Sequence, residues 1–367
     1  MDLTNQRDTG FQPVGETGIL PVIPNVSTPP TRSITGYKPA SLLLLLLTLV
    51  LTTCQPATQL HTLGGPTMGT TWTLKIFTDH PANVQDLIQS RLDELESIFS
   101  TWRTDSAITN FNQSPSTDWI PVPQELADLA QQSQHFSQIT DGAYDITIPP
   151  LLTLWGFGPD KKPRQIPSAT DIIAAKAHVD WQKLHIQTTP PALRKSDPAL
   201  RIDLSSLVEG YALDHLATRL QQTGHQHFLL EIGGEIIASG LSAKNTPWTV
   251  GIQTPGPDRT AIASTTPLQN EAIATAGVYQ QYWEQNGQRH SHLINARTGR
   301  PITHPLSSVT VKAKSALQAD AWATILLILG PQKGPALASK HSISALFLEQ
   351  TIPPSPQFLD SQPSLKQ

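Results

Sequence analysis

Apolar and polar residues alternate through Trp72, Leu74 and Ile76, the two-residue period of a strand with one buried face. The period then lengthens. Val84, Leu87, Ile88, Leu92, Leu95 and Ile98 recur at three- and four-residue steps and predict an amphipathic helix over 82–100. Asp105 is placed to cap a short helix after it, and a longer one is predicted over 123–140, closed by Asp141-Gly142. Ser168 with Asp171 approximates a capping box for another. Leu184-His-Ile-Gln and Leu200-Arg-Ile-Asp-Leu bracket a Pro-rich turn and read as a hairpin. Beyond it Leu207, Val208, Tyr211, Ala212, Leu216 and Leu220 form one helical stripe, with Ser205 and Ser206 as caps and Gly224 as terminator. Strands are predicted at 227–232, 236–239, 248–253, 270–277 and 307–312, the first two separated by Gly233-Gly234. The segment 315–330 is helical and almost wholly apolar, hence buried, yet it contains Asp320. Hairpin-linked strands interleaved with helices predict an α+β fold with mixed or antiparallel sheets, not a doubly wound parallel one.

Composition narrows the picture. A net charge of −4 gives no support for nucleic acid as a partner, and the one cysteine, Cys54, excludes an intramolecular disulfide. Residues 41–53 are apolar and include six consecutive leucines, Leu42–Leu47, a length suited to a signal-peptide core and short for a membrane span. Leu51-Thr-Thr-Cys54 resembles a bacterial lipoprotein signal, with Thr53 where a smaller residue is usual. The chain therefore divides into a polar preface (1–40), a signal segment (41–54), a spacer (55–61), one folded domain (62–345) and a Pro-rich tail (346–367). The expected location is the periplasmic side of the inner membrane, lipid-anchored through Cys54.

Candidate chemistry gathers at a few places. The junction Asp203-Leu-Ser-Ser-Leu-Val-Glu209 offers Asp203, Ser206 and Glu209 to one small volume at a helix N-terminus, which suits an anionic ligand or a plain cap. Asp145 stands among apolar residues and needs a partner or a ligand. Asp320 and Thr324 lie one turn apart, hard oxygens that suit Mg²⁺ better than zinc; the other reading is an Asp paired with an arginine. His290 and His292, two apart, would share a strand face, but no cysteine or nearby carboxylate completes a zinc set, so one functional and one structural histidine are expected. Trp102, in a polar loop, offers stacking surface or core cover.

Seven motifs occur in order: Met68-Gly-Thr-Thr-Trp, Ser100-Thr-Trp-Arg, Asp141-Gly-Ala-Tyr-Asp-Ile-Thr, Ile202-Asp-Leu-Ser-Ser-Leu-Val-Glu-Gly-Tyr, Glu231-Ile-Gly-Gly-Glu, Ser291-His-Leu-Ile-Asn-Ala-Arg-Thr-Gly and Ala319-Asp-Ala-Trp-Ala-Thr. Together they resemble the ApbE family, the FAD:protein FMN transferases. The resemblance implies a flavin in a cleft between sub-domains, with contacts at Met68, Trp102, Ala143, Tyr144, Asp145, Asp203, Glu209 and Ile294. It implies Mg²⁺ on Asp320, Thr324 and a backbone oxygen of Ser206, and His292 as the general base. The implied reaction cleaves FAD, attaches FMN to a Ser or Thr hydroxyl and releases AMP. The implied acceptors are flavoprotein subunits of Na⁺-pumping quinone reductase (Nqr) or Rnf-type complexes. Two places depart from the common pattern: Asn295-Ala296 replaces Asp-Pro, and Glu209 stands where many relatives carry Lys. An FAD pyrophosphatase and a non-catalytic exported flavin-binding lipoprotein remain alternatives.

Overall fold

A computed structural model describes residues 59–160, 162–256, 261–349 and 357–360; the expected preface, signal segment and Cys54 lie outside them. Its centre is an eight-stranded sheet made of β1 (Leu60–Thr67), β2 (Thr70–Phe77), β3 (Phe228–Ile232), β4 (Glu235–Ser239), β5 (Glu271–Gly277), β6 (Leu306–Ala313), β7 (Ser344–Glu349) and β8 (Gln357–Asp360). These strands follow chain order across the sheet, and every neighbouring pair is antiparallel. Purely hairpin-type pairing leaves one face for helices and one for another layer. β7 and β8 carry the sheet past the domain end expected at residue 345.

The alternation in β2 and β3 explains the layers. Trp72, Leu74, Ile76, Phe228, Leu230 and Ile232 point into the main core, whereas Leu229 points the other way. On the main-core side lie α1 (Pro81–Phe99), α2 (Ala107–Gln113), α3 (Gln124–Ile139), α6 (Ser205–Gln222) and α7 (Ala316–Lys340), with α6 and α7 packed together, while α4 (Pro149–Leu154) and α5 (Ala169–Lys176) pack on each other and bury Leu151 and Ile172 in a separate small cluster. The hairpin Trp248–Gln253 with Ile262–Leu268 covers part of the opposite face through Trp248, Val250 and Leu268. Gly330, at φ 76° and ψ −175°, breaks α7 where the sequence predicts its end, and Pro331 opens a second helical segment that runs on to Lys340. Among the described residues no helix is long and apolar enough to cross a membrane.

Three local expectations are corrected. The partner of Leu184–Thr188 is Pro191–Lys195, joined by a tight turn, and Leu200–Leu204 is not a strand. The polar groups of its Ile202 peptide bond to the Asn112 side chain instead of a neighbouring strand. α2 is capped by Ser106, whose Oγ accepts the Thr109 N–H at 3.1 Å, while Asp105 pairs with Arg103. α6 begins without a serine cap: Asp203 Oδ1 accepts the Ser205 N–H at 2.7 Å, and Ser206 Oγ is engaged elsewhere. Ser168, by contrast, caps α5 as predicted.

Candidate active site

The site is organised by the contact between α6 and α7. A Cβ on Gly210 would sit 2.6 Å from the Ala316 carbonyl oxygen and 2.8 Å from Leu317 Cα, so only glycine lets the two backbones meet. One turn later Asp214 seals the contact. Its Oδ1 accepts the Ala316 N–H at 2.7 Å, and its Oδ2 accepts the Leu317 N–H at 3.1 Å and the Ser315 hydroxyl at 2.6 Å. Asp214 thus satisfies the exposed donors of the α7 N-terminus and complements its dipole. Neither residue was nominated from the sequence, although Gly210 lies in the quoted Ile202–Tyr211 motif and Asp214 three residues beyond it. Their effect is to set Asp320 against α6: Asp320 Oδ2 accepts the Gly210 N–H at 3.2 Å. In a regular helix that N–H serves the Ser206 carbonyl.

Around this contact the nominated residues converge. Tyr144 and Ser206 share a 2.9 Å hydroxyl–hydroxyl bond, and burial raises the Tyr144 phenol above its usual range, with Asp320, Asp203 and Asp145 reinforcing the shift. Asp320 and Thr324 are buried one turn apart on α7. Glu209 lies beside Glu235, whose carboxyl its charge perturbs, and under the Gly233–Gly234 turn, where a Cβ on Gly233 would fall 2.9 Å from its Oε1. Glu235 is a third residue that sequence reasoning missed, although it ends a quoted motif; it is buried, and its Oε2 has no partner among the described residues. Burial first, then the charges of Glu209 and Asp320, hold the Glu235 carboxyl well above the ordinary carboxylate range.

Asp203 lines a small open cleft together with Arg201, Asp160, Asn112, Thr109 and Thr153. Its N–H donates to the Ile146 carbonyl at 2.8 Å, joining it to the Ala143-Tyr144-Asp145 loop. Asp145 spends its carboxylate inside the protein: Oδ1 accepts the Thr147 N–H and hydroxyl at 2.8 and 2.7 Å, and Oδ2 accepts the Trp181 N–H at 2.9 Å. Burial nonetheless pushes its pKa up to about 6. Met68 occupies the β1–β2 turn at φ 48°, beside Gly69 at φ 75°, and its N–H is held by Glu96 Oε1 at 2.6 Å. Two successive positive φ values match a two-residue hairpin turn.

The remaining nominated residues sit on other elements. Trp102 is 67% exposed on its loop. Ile294 is buried in a small cluster with Leu151, Trp155, Ile172 and Trp283. The two histidines do not share a strand face. His290 ends its ring on Trp283, 4.4 Å away, within the strand Gln288–Ser291, whereas His292 lies beyond that strand. The N–H and Nδ1 of His292 both meet the Gln281 carbonyl, at 3.1 and 3.0 Å, and its ring stands edge-on to Phe157. A proton on Nδ1 donated to that carbonyl leaves Nε2 as the acceptor. Burial lowers the His292 pKa and favours the same neutral form.

The ApbE family profile matches residues 68–347. The chain belongs to the ApbE family. It is 40% identical to the FAD:protein FMN transferase of Escherichia coli (strain K12) over 80% of this chain and 85% of that one. It is 39% identical to the protein of the same name from Klebsiella pneumoniae (strain 342), over 81% and 86% of the two chains. The solved flavin transferase ApbE from Vibrio cholerae superposes with a TM-score of 0.75 at 34% identity, covering 83% of this chain and 98% of that one. The α+β, antiparallel architecture is that of this ApbE structure.

The departure from the usual ApbE pattern at Asn295-Ala296 is accommodated locally. Asn295 Oδ1 accepts the Arg297 N–H at 3.0 Å, an Asx-type turn that an aspartate would also make. Ala296 donates its N–H to the Ala143 carbonyl at 3.1 Å, a bond that proline, lacking the N–H, cannot form. The Arg297–Asp141 ion pair ties the same two loops. Residues expected to hold Mg²⁺ also fit the ion. Asp, Glu, His and Cys alone form no three-residue metal cluster among the described residues, so a site here requires the Thr324 hydroxyl and a backbone oxygen beside Asp320. The surrounding Glu209, Glu235 and Asp320 crowd negative charge into a buried volume with an orphaned Glu235 oxygen, which a hard divalent cation would relieve.

Proposed function

We propose that this protein is a Mg²⁺-dependent FAD:protein FMN transferase, joining FMN through a phosphoester to a Ser or Thr hydroxyl and releasing AMP. The observation that supports it most is a division of labour. Buried hard oxygens from α6 and α7 stand behind Asp203 on the cleft, and His292 has its Nδ1 committed to a carbonyl, leaving Nε2 to take a proton. Asp203 and Glu209 would orient the cofactor. The exposed Trp102 offers ring-sized surface, and Met68, Ala143, Tyr144 (tied to Ser206), Asp145 and Ile294 would shape the flavin site around it.

Asp320, Thr324 and the Ser206 carbonyl would hold Mg²⁺, which when bound neutralises charge developing on phosphoryl oxygens. His292 Nε2 accepts the hydroxyl proton of the acceptor as its oxygen bonds to the phosphorus of the FMN half. The phosphorus–oxygen bond to the AMP half breaks, and AMP departs with the bonding electrons. Lipidation at Cys54 would place this chemistry on the periplasmic side of the inner membrane, within reach of Nqr- or Rnf-type flavoprotein subunits.

Incubating purified protein with FAD, Mg²⁺ and an acceptor subunit tests the reading. A fluorescent acceptor band in a denaturing gel is expected. Free FMN without a labelled acceptor would make the protein an FAD pyrophosphatase, and intact FAD would leave a flavin-binding lipoprotein. Mass spectrometry of the mature N-terminus decides whether Cys54 carries lipid.

A further inference from the structure

The segment from Leu200 to Asp203 runs beside the cleft without a strand partner, although Leu200 and Ile202 are fully buried. Buried backbone must find partners, and here two side chains distant in sequence supply them. Asn112, in the last turn of α2, grips both sides of the Ile202 residue: Oδ1 accepts its N–H at 2.7 Å and Nδ2 donates to its carbonyl at 2.8 Å. The amide imitates a neighbouring strand for one residue. Beneath it lies Lys195, fully buried, whose Nζ donates to the carbonyls of Leu200 (3.1 Å), Phe111 (3.2 Å) and Asn112 (3.4 Å).

Those contacts are all carbonyls. An ammonium buried with no ion-pair partner among the described residues is costly, and an apolar residue would fill the same space without that penalty. What the ammonium adds is a tie between the negative C-terminal end of α2 and Leu200. Asn112 also lines the cleft together with Asp203. The chain of bonds therefore runs from Lys195 to Asn112, from Asn112 to Ile202, and covalently to Asp203.

We infer that Asn112, backed by Lys195, is a positioning residue that fixes the direction of the Asp203 carboxylate in the cleft and so sets the affinity for FAD. The identity of the ligand rests on the proposed flavin chemistry; the geometry does not.

The test is a double-mutant cycle read by flavin fluorescence quenching, with purified protein in EDTA so that FAD stays intact. Asn112→Ala is expected to weaken FAD binding about tenfold when Asp203 is present and less than twofold in the Asp203→Ala background, because it acts through Asp203. Lys195→Met is expected to follow the same pattern. Unchanged affinity in a folded Asn112→Ala protein, or equal losses in both backgrounds, overturns the inference. If Asn112→Ala does not fold, Asn112→Asp replaces it; it keeps the acceptor for the Ile202 N–H and loses the donor to the Ile202 carbonyl. Hydrogen exchange at the 202–205 amides reads the same claim without ligand. Faster exchange there in either Asn112 variant is expected, and exchange at the wild-type rate overturns it. Should the wild-type protein fail to bind FAD, the proposed function falls while the exchange result still decides this one.

Discussion

The two halves of the candidate site are held in different ways. The cofactor and metal half is set by α6 and α7 touching backbone to backbone at Gly210, with Asp214 satisfying the donors at the α7 N-terminus. The half that would move the proton rests on His292, just past a two-stranded hairpin and held to the Gln281 carbonyl. Close helix contact leaves no room for adjustment, since packed interiors transmit any added volume. A residue held by one carbonyl can be replaced without disturbing the helices. The contrast predicts that changes on the helix side cost stability together with function, whereas changes at His292 cost function alone.

The largest effect is expected at His292. His292→Ala should lower transfer about 10²–10⁴-fold, the usual worth of a general base, while unfolding midpoints and FAD affinity stay near wild type. Loss of FAD binding would turn His292 into a binding residue and dissolve the contrast. The pH profile sharpens it. Burial lowers the His292 pKa, so the neutral, accepting form persists as pH falls to and below 6.5, the ordinary histidine value. The acidic limb of the transfer rate should therefore lie below that point, and a limb above pH 7 would exclude His292 as its source.

Next comes Gly210→Ala. Forcing a Cβ against the Ala316 and Leu317 backbone should cost about 3 kcal/mol, offset by about 1 kcal/mol of better helix propensity. Urea unfolding should report a net loss of about 2 kcal/mol, and FAD binding should weaken with it. A variant as stable as wild type would mean that the helices can separate freely. Asp214→Ala should cost about 1–2 kcal/mol, as lost caps do, with Asp214→Asn recovering part; a silent Asp214→Ala would remove the cap from the account. The smallest effect belongs to Ser206→Ala. Leaving the buried Tyr144 hydroxyl without its partner should cost about 1 kcal/mol of stability, yet Mg²⁺ dependence should persist if the metal takes the backbone oxygen. A matching loss of Mg²⁺ affinity by titration would put the hydroxyl itself on the metal.

Much of the fold was legible because it follows local periodicity. The alternation at Trp72, Leu74 and Ile76 became β2, and the stripe from Leu207 to Leu220 became α6. Leu200–Leu204 has the apolar pattern of a strand, but the backbone groups of Ile202 at its centre bond to a side chain ninety residues earlier, and no local pattern announces that. Ser205 and Ser206 have the chemistry of caps, but the Asp203 carboxylate reaches the first helical donor and Tyr144 takes the Ser206 hydroxyl.

What the chain determined by itself is the order of its elements and the identity of its reactive groups, because period, turn chemistry and motif spacing are written between near neighbours. Only the tertiary structure decided how those groups serve. It made Gly210 a contact point, Asp214 a cap for another helix, Glu235 the neighbour of Glu209, and Asn112 the substitute strand beneath Asp203. Each of those roles depends on an atom brought close by folding from a distant part of the chain, and such closeness has no signature in local sequence.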